Sequence, residues 1–327
     1  CPKSAAARTT TPATALPPQR PDFLPLRRFL STFSLTIFPA TMKKVVVGVS
    51  RALSPHPVGN AFEEQLFFTY DGLGRQTNAA IRATHAACAS APAGASTGAQ
   101  AFCGLECVTL LLQGGLRVRD SAGHDHTLAA GDVLWNGAGR GLLREERPAP
   151  GAPLEQVSLW INLPAQYKLT EPHCQLIRSA SIPALSLPGE TGSLRLIAGE
   201  WQGQLGPAET VQSLQLWDLT LKAGQKTDLP LQNGWYAVLL TLTGTLRISH
   251  WLHPVGPLQT AMLDAFGDEA GLHAEGDEDV RAILVSAQPL NEAISGQDGL
   301  VMNTPEQLAH MQQALAQGAF GALPALD

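Results

Sequence analysis

No apolar run in this chain reaches the roughly 18 residues that a helical membrane span requires, so no membrane partner is expected. Charge is scarce as well: 15% of the 327 residues are Asp, Glu, Lys or Arg, and only 6% are aromatic. Set beside 31 glycines and 24 prolines, that composition suits short strands joined by many turns. The five cysteines, Cys1, Cys88, Cys103, Cys107 and Cys174, form an odd and irregularly spaced set. That argues against a disulfide scaffold at this length and for reduced thiols in a cytoplasmic environment. Basic residues run short beyond the first 41 positions, where Lys3, Arg8, Arg20, Arg27 and Arg28 face Asp22 alone. The remainder holds 17 basic residues against 27 acidic ones, a balance of −10. An acidic body argues against direct nucleic-acid binding, which depends on clustered Lys and Arg. A protein partner or a small-molecule ligand stays open. Also missing are a Ser/His/Asp elbow, a phosphate-binding glycine loop and a Cys-x-x-Cys pair.

The chain is long enough for two domains, since single cores stop growing near about 250–300 residues. Residues 1–41, rich in Ala, Thr, Ser and Pro, read as an extension. Arg27-Arg28 followed by Phe29–Phe38 has the charge and length of a signal core, and the scarcity of acids also permits an organelle transit peptide. The preferred reading is a translation start at Met42-Lys-Lys-Val-Val-Val. From Val45 onward come short β-branched or Leu-rich runs: Leu66–Tyr70, Val108–Leu112, Leu116–Arg119, Val157–Ile161, Leu214–Leu219 and Ala237–Leu242. Runs of this kind predict antiparallel sandwiches or barrels. Residues 79–101, Ala/Ser/Gly-rich, read as loop.

Leu110-Leu-Leu-Gln-Gly-Gly-Leu-Arg-Val118 matches Leu240-Thr-Leu-Thr-Gly-Thr-Leu-Arg-Ile248. Each copy places a glycine between two strands, the pattern of a hairpin. Two copies so far apart predict tandem barrels over 42–170 and 171–327, with the boundary near Pro164–Pro188. A helix follows Thr304, with Pro305 at its first position and Gln307 completing a capping box. Leu308, Met311 and Leu315 give it an apolar stripe read as core packing, and Gly318 stops it.

Several segments, weak singly and strong in this order, carry a family resemblance. They are Pro55-His-Pro-Val-Gly-Asn60, Gly104-Leu-Glu-Cys-Val-Thr109, Gly131-Asp-Val-Leu-Trp135 with Ala138-Gly-Arg-Gly141, Leu159-Trp-Ile-Asn-Leu-Pro164, Leu196-Ile-Ala-Gly-Glu200, Val301-Met-Asn-Thr304, and Gly318 with Phe320-Gly321. With them the chain resembles the pirin family of bicupin proteins from about Met42 to Gly321. The resemblance implies an all-β fold of two tandem cupin (RmlC-like) β-barrels with a C-terminal helix.

It also implies a site in the first barrel, where the family holds iron or another divalent transition metal on three histidines and a glutamate. Two of those histidines are separated by one residue, and strand alternation lets such a pair share one ion. Here the paired histidine positions fall on Gln100 and Phe102, the third on Arg144, and the glutamate on Glu146. Three of four ligands are thus replaced, and no metal cofactor is expected. Arg144 is expected to pair with Glu146 or Glu106 and to substitute for the ion's charge. The candidate pocket is therefore Gln100, Phe102, Glu106, Arg144 and Glu146.

Other candidates read as bland. His124 and His126 belong to a solvated hairpin tip, and His250 and His253 to a second hairpin without a matching carboxylate. His56 reads as a turn residue. Cys103 and Cys107 are expected on one strand face, opposite Phe102 and Glu106. The functional expectation is a non-catalytic binding or regulatory protein working through a protein partner. The alternatives are a metal-dependent quercetin-type dioxygenase, and a metal-free pocket binding a small anion through Arg144 and Arg140.

Overall fold

The computed structural model describes residues 41–326. The extension predicted over 1–41 therefore lies outside the described residues, Thr41 apart. Two seven-stranded antiparallel sheets dominate. The first orders its strands His173–Ile177, Val133–Gly137, Leu105–Gln113, Leu154–Asn162, Ala80–Cys88, Phe62–Phe68 and His56–Val58. A four-stranded sheet, Gln100–Phe102, Leu142–Pro148, Gly115–Asp120 and Asp125–Ala129, closes it into a barrel. The second orders Val46–Arg51, Gln259–Leu263, Tyr236–Thr243, Val280–Ala287, Leu214–Leu221, Gly192–Ala198 and Ala184–Ser186. Its companion is the three-stranded sheet Lys226–Pro230, Glu269–Glu275 and Thr245–Ile248.

The near-continuous apolar runs in the central strands follow from burial on both faces. Along Leu105–Gln113, Leu105, Cys107 and Leu111 fill the first barrel, while Val108 and Leu110 point outward. Along Tyr236–Thr243, Ala237 and Leu239 fill the second barrel, while Val238, Leu240 and Leu242 point outward. The outward sets meet in one shared core with Phe67, Ala83, Val157 and Val285. Each fully buried side chain of this size contributes roughly 1.5–3 kcal/mol relative to exposure. Truncating Leu240 to Ala would cost about 2–5 kcal/mol.

Three sequence expectations change. Residues 79–101 are not all loop: Ala80–Cys88 is an interior strand of the first sheet. Alanine is a poor strand former alone, but Ala80 and Ala83 lie in the shared core, where small side chains let the sheets approach. The repeated Gly is not a hairpin turn. In both copies the strand before it and the strand after it belong to different sheets, so Gly114 (φ 88°) and Gly244 (φ 69°) turn the corner of each barrel. A Cβ there would stand 1.9 Å from Pro153 O and 2.6 Å from Asp279 O.

The third change is the 42–170 and 171–327 division. Val46–Arg51 pairs with Gln259–Leu263, giving the start of the described chain to the second barrel. His173–Ile177 pairs with Val133–Gly137 and belongs to the first. The terminal segment also returns to the first barrel: Cys103 N donates to Gly299 O, and Val301 N donates to Cys103 O, both at 3.0 Å. Lys168, 1% exposed, ties the two together, its Nζ donating to Gly104 O (2.7 Å), Asn162 Oδ1 (2.6 Å) and Val301 O (3.1 Å). Burial lowers this amine to about 8. Cys103, Leu300, Met302, Met311 and Phe320 pack a small core beneath the helix Pro305–Ala316. That helix carries the expected capping box, with Thr304 and Gln307 exchanging hydrogen bonds at 3.2 Å, and Gly318 follows it at φ 77°.

Candidate functional site

A cavity of about 550 Å³ opens inside the first barrel. Its wall is set by pairing of Gln100–Phe102 with Leu142–Pro148, where Gln100 stands opposite Arg144 and Phe102 opposite Leu142. Residues two apart on a strand share a face, so Gln100, Phe102, Arg144 and Glu146 all line the cavity. At its base the Arg144 Nη1 donates to Glu146 Oε1 at 2.6 Å, and Nη2 donates to Thr109 Oγ1 at 2.9 Å. Gln156 Nε2 donates to Glu146 Oε2 at 2.9 Å. The two charged side chains are 5% and 6% exposed, so this ion pair is buried. Burial works against the Arg144 charge, but the Glu146 carboxylate outweighs it and leaves the guanidinium above its usual range.

Glu106 does not join them. It is fully buried on the opposite strand face, with its Oε1 3.5 Å from His173 Nε2. The Glu106 carboxylate beside it holds the His173 imidazole above its usual range. Alternation along Leu105–Gln113 is the reason: Cys107 and Thr109 face the cavity, so Glu106 cannot. The expectation that Cys107 opposes Phe102 fails with it, since both line the cavity. Between them Gly104 adopts φ 69° and resets the alternation, and a Cβ there would meet Val301 O at 1.9 Å. Burial pushes the Cys107 thiol up to about 12, and those of Cys103 and Cys174 up to about 11.

The rest of the lining was not predicted. Arg82, on the strand read as loop, stacks 4.5 Å from the Trp160 ring centroid and ion-pairs with Glu64. Phe102 meets Trp160 edge-on with centroids 5.7 Å apart. Phe62 and Tyr70 complete the aromatic walls, and Asp298, Gly299, Leu300 and Leu315 reach in from the terminal segment. The helix stripe thus touches the cavity through Leu315, beyond its packing role.

Family models match both barrels: "Pirin" over residues 63–161 and "Pirin C-terminal cupin domain" over 216–321. A Pseudomonas aeruginosa protein whose name carries a provisional quercetin 2,3-dioxygenase assignment is 34% identical over 287 residues, 85% of this chain and 99% of that one. The chain belongs to the pirin family. Homo sapiens pirin is 31% identical over 209 residues, 63% of this chain and 71% of that protein. The crystal structure of a quercetin 2,3-dioxygenase from Acinetobacter baumannii superimposes with a TM-score of 0.81 at 32% identity, over 86% of this chain and 99% of that one.

Within this pirin fold the remaining sequence candidates lie apart from the cavity lining. Arg140 pairs with Glu171 at 2.8 Å, both side chains exposed, so Arg140 and Arg144 do not form one anion site. His124 Nδ1 binds Asp120 Oδ2 at 2.8 Å in the turn before Asp125–Ala129, and its ring stacks near His126. His56 is a strand residue, its Nε2 3.2 Å from Glu64 Oε1. His250 lines a separate hollow on the second barrel. Among the described residues no group of three or more His, Cys, Asp or Glu side chains is placed to hold a metal ion.

Proposed function

We propose that this pirin-like bicupin is a ligand-binding protein that works without a resident transition metal, Arg144 supplying the positive charge of the family's ion. One observation carries the reading: the buried Arg144 to Glu146 bond of 2.6 Å. A metal needs a free carboxylate and neutral nitrogen donors. Here both Glu146 oxygens already accept hydrogen bonds, and the neighbouring positions offer an amide, a phenyl ring and a guanidinium. The donor set does not fit the family's ion. A metal-free cavity still binds, being about 550 Å³ with aromatic walls and a few placed polar groups. Its occupant then conveys a signal by filling the cavity, with a protein partner as the proposed listener.

The quercetin 2,3-dioxygenase reading rests on the names carried by the Pseudomonas and Acinetobacter relatives. Elemental analysis of purified protein, with a quercetin turnover assay, separates the two. Stoichiometric iron, nickel, copper or zinc would overturn the proposal. A metal-free protein that leaves quercetin unconsumed is the expected result. The anion reading loses support, since three carboxylates, Glu64, Glu146 and Asp298, line the cavity against two guanidiniums, Arg82 and Arg144.

A further inference from the structure

The same inventory says which kind of ligand the cavity favours. Arg144 is spent on Glu146 and Thr109, and Arg82 on Glu64 and the Trp160 face. Asp298 makes no ion pair among the described residues, so the lining carries one uncompensated negative charge. Asp298 is exposed, next to Tyr70, whose hydroxyl lies 3.5 Å from the Asp298 carbonyl oxygen. Burial raises the Tyr70 phenol, and the fields of Asp71 and Asp298 push it the same way. That region of the lining is therefore electronegative. Deeper in, Gln156 Oε1 is a buried acceptor with no hydrogen-bond partner, while its Nε2 is held by Glu146. Arg144 Nε is the lining's buried donor without one. Four aromatic rings, Phe62, Tyr70, Phe102 and Trp160, present faces and edges to the same space. The Trp160 ring already holds one cation, Arg82.

Resting on the ligand-binding reading above, we infer that the cavity selects a protonated amine joined to an aromatic or apolar body. Aromatic faces attract ammonium groups through the ring quadrupole. Asp298 supplies the counter-charge, and Gln156 Oε1 is the acceptor suited to an N–H. A carboxylate ligand meets the opposite field at Asp298, and the lining's orphan donor, Arg144 Nε, belongs to a guanidinium whose charge Glu146 already balances.

The test uses three probes that share one ring and differ in charge: benzylammonium, benzyl alcohol and benzoate. Each is titrated calorimetrically into the full chain at neutral pH and low salt, and into Asp298→Asn. Asparagine is tolerated at the positive φ of this residue, 51°, so the variant keeps its backbone, and matching melting curves verify that. The expected result is benzylammonium binding about ten-fold more tightly than benzoate. An exposed unit charge supports a loss of roughly three- to five-fold in benzylammonium affinity in the variant, with benzyl alcohol within about two-fold of its wild-type value. Benzoate binding as tightly as benzylammonium, or a preference for the amine that survives Asp298→Asn, overturns the inference. Benzyl alcohol binding without any preference for the amine also overturns it but leaves the ligand-binding reading standing. Failure of all three to bind overturns both.

Discussion

Replacing Arg144 by Met tests the centre of the proposal. Methionine keeps most of the side-chain length and removes the guanidinium, leaving Glu146 with the Gln156 amide and the more distant Thr109 hydroxyl at 3.5 Å. Two unit charges about 4 Å apart attract by roughly 4 kcal/mol at an effective dielectric near 20. Stripping one partner from a buried pair costs about 3–5 kcal/mol, because the surviving charge stays desolvated. At about 2–4 °C per kcal/mol for large domains, scanning calorimetry should show a melting temperature lowered by roughly 6–20 °C. Glu146→Gln alone should cost a similar amount by stranding the guanidinium. Arg144→Met with Glu146→Gln should recover most of the loss, giving a coupling energy of at least about 2 kcal/mol. A single substitution costing under about 1 kcal/mol, or a double variant whose loss is the sum of the singles, would refute the buried-pair argument.

Three further outcomes follow from the geometry. Gln100→His, Phe102→His and Arg144→His together should let Glu146 and three imidazoles retain nickel or zinc through dialysis, measured by elemental analysis; a metal-free triple variant would show the wall is no longer shaped for an ion. Because burial lowers Lys168 to about 8 in the fold, the unfolded chain binds more protons between about pH 8 and 10.5. The stability of the wild type relative to Lys168→Gln should therefore rise as pH climbs through that window in denaturant titrations, and a flat or falling difference would contradict it. Cys103, Cys107 and Cys174, with thiols raised to about 11, 12 and 11, should resist maleimide in the native state at pH 7.5 while half-buried Cys88 labels; peptide mapping that finds Cys107 labelled as fast as Cys88 would disprove the burial argument.

The strands and the helix were legible because their signals are local: alternation, a repeated strand–glycine–strand pattern and a capping box each act over a few residues, although the glycines read as hairpin turns prove to be barrel corners. Arg144 and Glu146 were legible as neighbours two positions apart on one strand. What escaped depends on long-range packing. Ala80–Cys88 has only Ile81 and Thr84 as strand formers among its alanines, since its place is set by the opposing barrel, and Arg82 went unread with it. Glu106 was misplaced because Gly104 shifts the phase of alternation through a backbone angle that letters alone do not display. Asp298 and Leu315 lie far along the chain from the strands they complete, and no local pattern connects them to the cavity.

The exchanged ends bear on the order in which the protein can be finished. Val45 and Asp264 hydrogen-bond 219 positions apart, so Val46–Arg51, the first described strand, meets its partner Gln259–Leu263 only after most of the described chain has followed. At roughly 5–20 residues per second that wait is about 10–40 s. The first barrel, made early, likewise holds an open wall until Asp298 to Leu315 arrive. Completion of this cavity is thus a late event of biosynthesis, and a ribosome stalled in the second barrel would display an aromatic-lined, unroofed cup.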